Sequence, residues 1–139
     1  MNLIVDTSVW SLFLRRDNIE QDNPFVVQLR KHIENEDCIH LVGLILQELL
    51  DGLKSSRHFD VILDYFDDFS LIELTRDDFI EVARLKNKCR EKGVQAGAVD
   101  FLIAATAIKR KYPLLTADKD FQHIAKHCRL MLIDPRKPY

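Results

Sequence analysis

Five short aliphatic runs punctuate this 139-residue chain: Leu3–Asp6, Ile39–Gly43, Leu71–Leu74, Pro113–Thr116 and Leu130–Ile133. Between them lie longer stretches whose apolar residues recur at helical spacing. Runs this short have strand length, and unbroken rather than alternating hydrophobicity marks strands covered on both faces. Few architectures satisfy that alternation. Parallel strands need crossover helices, the crossovers are right-handed, and the helices then cover both faces of the sheet. The expected fold is a three-layer α/β/α domain around a central parallel sheet of about five strands, in the order 3-2-1-4-5.

The connecting segments carry helix signals of their own. Thr7 or Ser8 can cap a first helix, which runs to about Arg15-Arg16. Pro24 suits the first turn of a second, ending near Asn35, with Phe25, Leu29 and Ile33 repeating along it. Leu44 to Leu53 forms a third that carries Glu48, and Ser55-Ser56 starts a fourth with Phe59, Ile62, Leu63 and Phe66 as its apolar face. Thr75 opens a long fifth helix as a hydroxyl cap, with Asp77 and Asp78 in the first turn where the helix dipole favours acids. Phe79, Val82, Ala83, Leu85 and Cys89 are its apolar positions, and Gly93 ends it. Ala98 to Ile108 is apolar on nearly every side, so that helix must be buried. Asp118 to His127 is the last. No repeat or linker interrupts this order, and residues 1–139 read as one domain.

Composition, with 47% hydrophobic and 30% charged residues, excludes a disordered chain. A net charge of −2, from 20 basic and 22 acidic residues, excludes a generic basic nucleic-acid coat. It does not exclude a nuclease, whose clustered acids offset a basic rim. Cys38, Cys89 and Cys128 have neither CxxC spacing nor an even count, which points to free thiols in a reducing compartment. The N-terminal run has no basic lead and is broken by Asp6, unlike a signal peptide. No apolar run approaches the roughly 20 residues that span a membrane. The expectation is a soluble, cytoplasmic protein.

Where the acids fall then becomes the central question. Asp6 ends the first strand, Glu48 lies about one turn into the helix after the second, and Asp100 starts the buried helix. Asp118 and Asp120 follow the fourth strand directly. Taken singly, Asp6, Asp100 and Asp118 are each explicable as helix caps and Glu48 as a solvated residue. Jointly they converge on the carboxyl edge of one sheet, where ligands of open α/β folds bind. Two carboxylates about 5 Å apart repel by roughly 3 kcal/mol at an effective dielectric of 20. Several together either raise their pKa values or take a cation, and Mg2+ suits an all-oxygen set that also meets a phosphate. The chemistry implied is metal-assisted phosphodiester hydrolysis.

Four segments carry a family resemblance: Val5-Asp6-Thr7-Ser8-Val9-Trp10, Leu46-Gln47-Glu48-Leu49-Leu50-Asp51-Gly52-Leu53, Val99 to Ala107, and Leu114 to Phe121. In this order and spacing the chain resembles PIN-domain ribonucleases, and among them the VapC toxins of toxin–antitoxin pairs. That resemblance implies a Mg2+- or Mn2+-dependent endoribonuclease that inhibits translation and growth. It implies Asp6, Asp100, Glu48 and Asp118 as the catalytic, metal-holding quartet, with Asp120 auxiliary. Thr7, Ser8 and Thr116 would be supporting hydroxyls. It also implies an RNA substrate, a homodimer, and a small cognate antitoxin that covers the pocket. Relatives often carry a serine where Val42-Gly43-Leu44 stands, a difference expected to affect packing.

Arg15 and Arg16, with Arg84, Lys86, Lys88, Arg90 and Lys92 along the long helix, are candidate RNA contacts, with a solvated helix face as the competing reading of Lys86 to Lys92. Lys109-Arg110-Lys111 sit at a helix C-terminus, where the dipole already accounts for them. His123 and His127 lie four apart but lack the intervening Glu of a zinc-protease motif, so they are not expected to be a metal pair. Trp10 and Phe13 are expected in the core or at a dimer contact. A receiver-like phosphoacceptor would need an aspartate after strand three, where Leu74-Thr75 stands. A dehalogenase-type phosphatase would need an acid where Ser8 is. A housekeeping PIN nuclease and a non-catalytic RNA-binding or signalling module on the same fold are the remaining alternatives.

Overall fold

The computed structural model of the chain describes residues 1–15 and 21–137. Its strands are β1 (Asn2–Val5), β2 (Cys38–Leu41), β3 (Ser70–Leu71) and β4 (Leu114–Leu115), all parallel, in the order β3-β2-β1-β4. The helices are α1 (Thr7–Phe13), α2 (Pro24–Glu34), α3 (Gly43–Leu50), α4 (Ser56–Phe66), α5 (Arg76–Glu91), α6 (Ala98–Arg110) and α7 (Asp120–Ala125). They pack as two sets, α1 against α2 and α3 with α4 beyond, and α5 against α6 with α7 beyond, giving the three-layer α/β/α arrangement. The expected strand order holds. The fifth run, however, is reduced to a single parallel bridge between Leu132 and Leu114. β3 is also shorter than its apolar run, as suits an edge strand, where short length discourages pairing with other chains.

Leu3, Ile4 and Val5 are fully buried, as a central parallel strand with two covered faces requires. Every residue of α6 from Phe101 to Ala107 is buried too. The Thr106 hydroxyl among them donates back to the Leu102 carbonyl at 2.7 Å, so no polar atom there is left unsatisfied. α5 and α6 run antiparallel and are clamped at one end. Asp78 accepts from Arg110 Nη1 at 2.8 Å and Nη2 at 3.1 Å, and from the Thr75 amide at 2.8 Å. Lys109 adds 3.0 and 3.4 Å contacts to Asp77 and Asp78. At the opposite end, Gly93 adopts φ +77°, a left-handed conformation that favours glycine. The chain reverses there, with Val94 N–H bonding the Cys89 carbonyl at 2.9 Å, and leads into the start of α6.

Several sequence expectations need correcting. The cap position of α1 is Asp6, not Thr7 or Ser8, which lie inside the helix. At the start of α5 the Thr75 hydroxyl donates to Asp78 at 3.1 Å, so the acid is the acceptor. Phe79 and Leu63, assigned to apolar faces, are 54% and 43% exposed, while the buried positions of α5 are Asp78, Leu85 and Cys89. Trp10 is core. Its ring meets those of Phe13, Tyr65, Phe66 and Phe69 edge-on, with centroids 4.8–6.2 Å away. All three cysteines are free. Among the described residues no helix is long and apolar enough to cross a membrane.

Candidate functional site

β1, β2 and β4 all end at the same edge of the sheet, and the acids gather there. Asp6 follows β1, is only 5% exposed, and makes no side-chain cap bond to α1. Its carboxylate instead accepts two hydroxyls at the same oxygen, Oδ2: Ser8 Oγ at 2.8 Å and Thr116 Oγ1 at 2.9 Å. Those hydroxyls are themselves 3.3 Å apart. Ser8 Oγ further accepts from the Ala117 amide at 3.0 Å, and Thr116 Oγ1 from the Asp118 amide at 3.1 Å. The network therefore joins β1, α1 and the segment after β4 through one carboxylate. Asp6 is oriented, not merely buried.

From the other side of the edge come three more acids. Asp100, on the first turn of α6, accepts from the Gly97 amide at 3.3 Å. Asp118 accepts from the Asp120 amide at 2.9 Å in a local turn. Asp100, Asp118 and Asp120 each present one carboxylate oxygen, and these oxygens all lie within 4.8 Å of one another. Burial raises the pKa of Asp100; the Gly97 amide opposes the rise, and the charges of Asp118, Asp6 and Asp120 add to it. Glu48, from α3, is raised first by burial and then by the Asp6 and Asp100 charges. The Thr7 hydroxyl acts against that rise from close by, although no acceptor reaches it at full hydrogen-bonding geometry.

The five acids predicted from sequence thus share one site. Asp120, expected as auxiliary, stands in its tightest group, while Asp6 and Glu48 face Asp100 across it. Among the described residues no lysine or arginine forms an ion pair with any of the five. The set is oxygen-only, its charges are mutually unfavourable, and a buried hydroxyl donor lies beside it without a partner. Those are the properties of residues that fit a hard divalent cation such as Mg2+.

The candidate RNA contacts fare unevenly. Arg16 lies outside the described residues, and Arg15 lines a groove beside α3. Arg84 pairs with Glu81 at 3.7 Å and borders Ala105 and Ile108, well along α6 from the acids. Lys86 is half-buried in the middle of α5. Lys109 and Arg110 are engaged in the clamp to Asp78 at the far end of α6. Nearer the acids, Lys92, Gln95, His123, Lys126 and His127 line a cleft of about 360 Å3 between the end of α5 and α7. Sequence reading passed over this grouping because it joins two segments about thirty residues apart. The local signals were Lys92 itself, among the basic residues of the long helix, and the His123–His127 spacing, whose second member lies just past the end of α7.

Comparison with known proteins agrees with this fold. The PIN domain family model matches residues 3–127. A ribonuclease VapC from Rickettsia bellii (strain RML369-C) is 30% identical over 132 residues, covering 89% of this chain and 91% of the relative. Among solved structures, VapBC2 from Rickettsia felis, bound to a DNA fragment from its promoter, superposes with a TM-score of 0.74 at 20% identity. That match spans 96% of this chain and 98% of the other. VapBC-5 from Mycobacterium tuberculosis, a member of the VapBC family of toxin-antitoxin systems, gives a TM-score of 0.69 at 21% identity, over 95% and 97% of the two chains. With its sheet order, its acidic edge and a match over nearly all of its length, the chain belongs to the PIN-domain family, alongside the VapC proteins.

Proposed function

We propose that this protein is a divalent-metal-dependent endoribonuclease, with Mg2+ or Mn2+ as its ion, and the toxin half of a toxin–antitoxin pair. Residues 1–139 act in this reading as one nuclease unit in the cytoplasm. The observation that carries it is the convergence of five carboxylates on one sheet edge with no described cation against them. The name of the Rickettsia bellii relative supports RNA as the substrate.

Asp6, Glu48, Asp100 and Asp118 would hold the ion, with Asp120 beside them. The bound ion supplies Lewis acidity toward the phosphodiester and neutralises charge developing on it. The protein's own contributions can be assigned more closely. Ser8 and Thr116 fix the Asp6 carboxylate, so that it costs little reorganisation during the reaction. Glu48 would complete the set that holds the ion and orients the attacking water, whose proton passes to bulk solvent as the oxygen–phosphorus bond forms. The bond from phosphorus to the leaving ribose oxygen breaks in the same displacement, and solvent protonates that oxygen. Thr7, whose hydroxyl lies close to Glu48, would help to orient that carboxylate. Lys92 and Lys126, with Arg15 and Arg16, meet the flanking RNA backbone.

The partner assignments rest on apolar surface. Leu14, Leu49, Leu53 and Ile62 line a groove of about 240 Å3 between α1, α3 and α4, one residue along from Glu48. Val61, Leu63 and Tyr65 are exposed on α4 nearby. That surface suits an amphipathic segment of a small antitoxin, which would also cover the acids. Phe79 and Ile80, exposed at the start of α5, suit a contact with a second copy.

The test incubates purified protein with total RNA in Mg2+ or in chelator, beside Asp100→Asn. Cleavage in Mg2+ alone, and none by a folded Asp100→Asn, is expected; cleavage that survives either change defeats the mechanism. Growth arrest on expression is expected of a toxin, and harmless expression of an active enzyme would instead mark a housekeeping nuclease.

A further inference from the structure

A second cavity, of about 570 Å3, opens directly beside the acids. Thr116 is common to both: it lines the cavity, and its hydroxyl donates to Asp6 Oδ2 at 2.9 Å. Gln122 lines it from α7, two residues beyond Asp120 of the acidic group. The opposite wall is Phe25, half-buried at the start of α2. The Phe25 backbone is fixed there, because its amide donates to the capping Asn23 Oδ1 at 2.9 Å and Pro24 opens the helix. The remaining rim includes Ile133 and an Asp134–Arg136 pair, in which the Asp134 carboxylate accepts from the Arg136 amide at 3.0 Å and from Nε at 3.2 Å. That carboxylate is neutralised locally and does not repel an anionic strand.

The contents of this cavity differ in kind from the acidic edge. It holds an aromatic ring, aliphatic walls and one carboxamide that has no side-chain partner among the described residues. It lacks the crowded acids that would favour a cation. Its volume falls within the ordinary range of small-ligand sites. Proteins read single-stranded RNA by stacking splayed bases on aromatic side chains and bonding their edges to polar groups. A carboxamide is suited to such an edge, since it presents a donor and an acceptor together, and it pairs in bidentate fashion with adenine.

We propose that this cavity is a base-binding subsite: it receives the unpaired base next to the scissile phosphate, stacking it on Phe25 and bonding its edge to the Gln122 carboxamide. The proposal rests on the ribonuclease reading above and adds a determinant of where the enzyme cuts. Phe25 and Gln122 would act as specificity residues, outside the acid machinery.

Two measurements on the whole protein test it. In the first, the protein in chelator is titrated with each of the four nucleoside 5′-monophosphates and followed by NMR. Shifts are expected at Phe25 and at the Gln122 side-chain amide, strongest with adenosine monophosphate. Gln122→Ala, on an exposed position, and Phe25→Leu, which keeps the apolar wall, should each weaken binding about tenfold, the scale of one lost base contact. In the second, RNA randomised around the cut is digested in Mg2+ and the ends are sequenced. A base preference at one flanking position is expected, and both variants should relax it while still cleaving. Nucleotide shifts confined to other parts of the protein, or an unchanged preference in both variants, would overturn the subsite. If wild type leaves RNA intact while nucleotides still shift Phe25 and Gln122, the ribonuclease reading falls and the nucleotide pocket stands.

Discussion

Thr116 shows how a single hydroxyl can set the state of a site. It donates to Asp6, accepts from the Asp118 amide, and so couples two acids that arrive from different strands. Replacing it with valine keeps the shape and removes the donor, leaving a buried carboxylate with one hydrogen bond fewer. Thr116→Val is expected to cost about 1–3 kcal/mol of stability, the usual penalty for an unsatisfied buried group. Cleavage should fall further than folding does, because Asp6 is then held by Ser8 alone. Thermal melting alongside single-turnover cleavage checks both halves. Part of this was visible beforehand: Thr116 and Ser8 were recognisable as hydroxyls close to acids. Which acid each would serve was not, since a bond between residues 8 and 116 depends on strand order and not on local spacing.

The α5–α6 clamp is the element-scale counterpart. Arg110, hydrogen-bonding to the nearly fully buried Asp78, holds that carboxyl well below the usual carboxylate range. An acid depressed on folding contributes stability above its unfolded pKa of about 3.9, and that contribution is lost as pH falls below this value. Wild type should therefore lose stability steeply below about pH 4. Asp78→Asn should show a shallower loss over that range, and at neutral pH it should be less stable by about 3 kcal/mol, because Arg110 loses its partner. Urea melts at several pH values measure this. The clamp also shows the limit of reading helices from periodicity. An apolar α6 and an acid-led α5 were plain in the sequence, and so were their lengths. That Lys109 and Arg110 would turn toward Asp77 and Asp78 was not, because it requires the two helices to run antiparallel. For the same reason Phe79 could be taken for core, although its position on α5 faces outward.

At the scale of the molecule, the five acids and the groove proposed for the antitoxin lie around one edge of one sheet. Order and layers were legible because unbroken aliphatic runs and an all-apolar helix admit few topologies. The thinning of β3 and of the fifth run was not, because strand length at a sheet edge is set by pairing and not by hydrophobicity. Grooves were likewise invisible, being built from residues far apart in sequence. If the groove between α1, α3 and α4 seats the antitoxin, Val61→Asp on exposed α4 should leave cleavage intact. It should weaken antitoxin inhibition at least about tenfold by burying an unpaired charge in the complex. Inhibition curves against the cognate antitoxin decide this. Trp10 gives the molecule one more property. It is the chain's single tryptophan, is fully buried in the core with four rings edge-on to it, and its amide donates to the Asp6 carbonyl at 3.2 Å. The protein thus carries its own optical probe one helical turn from the acids. Its emission should be short-wavelength in the folded state and shift to the red on unfolding. It should also change in intensity as Mg2+ is titrated in, so that occupancy of the site can be read without a label, a substrate or a turnover.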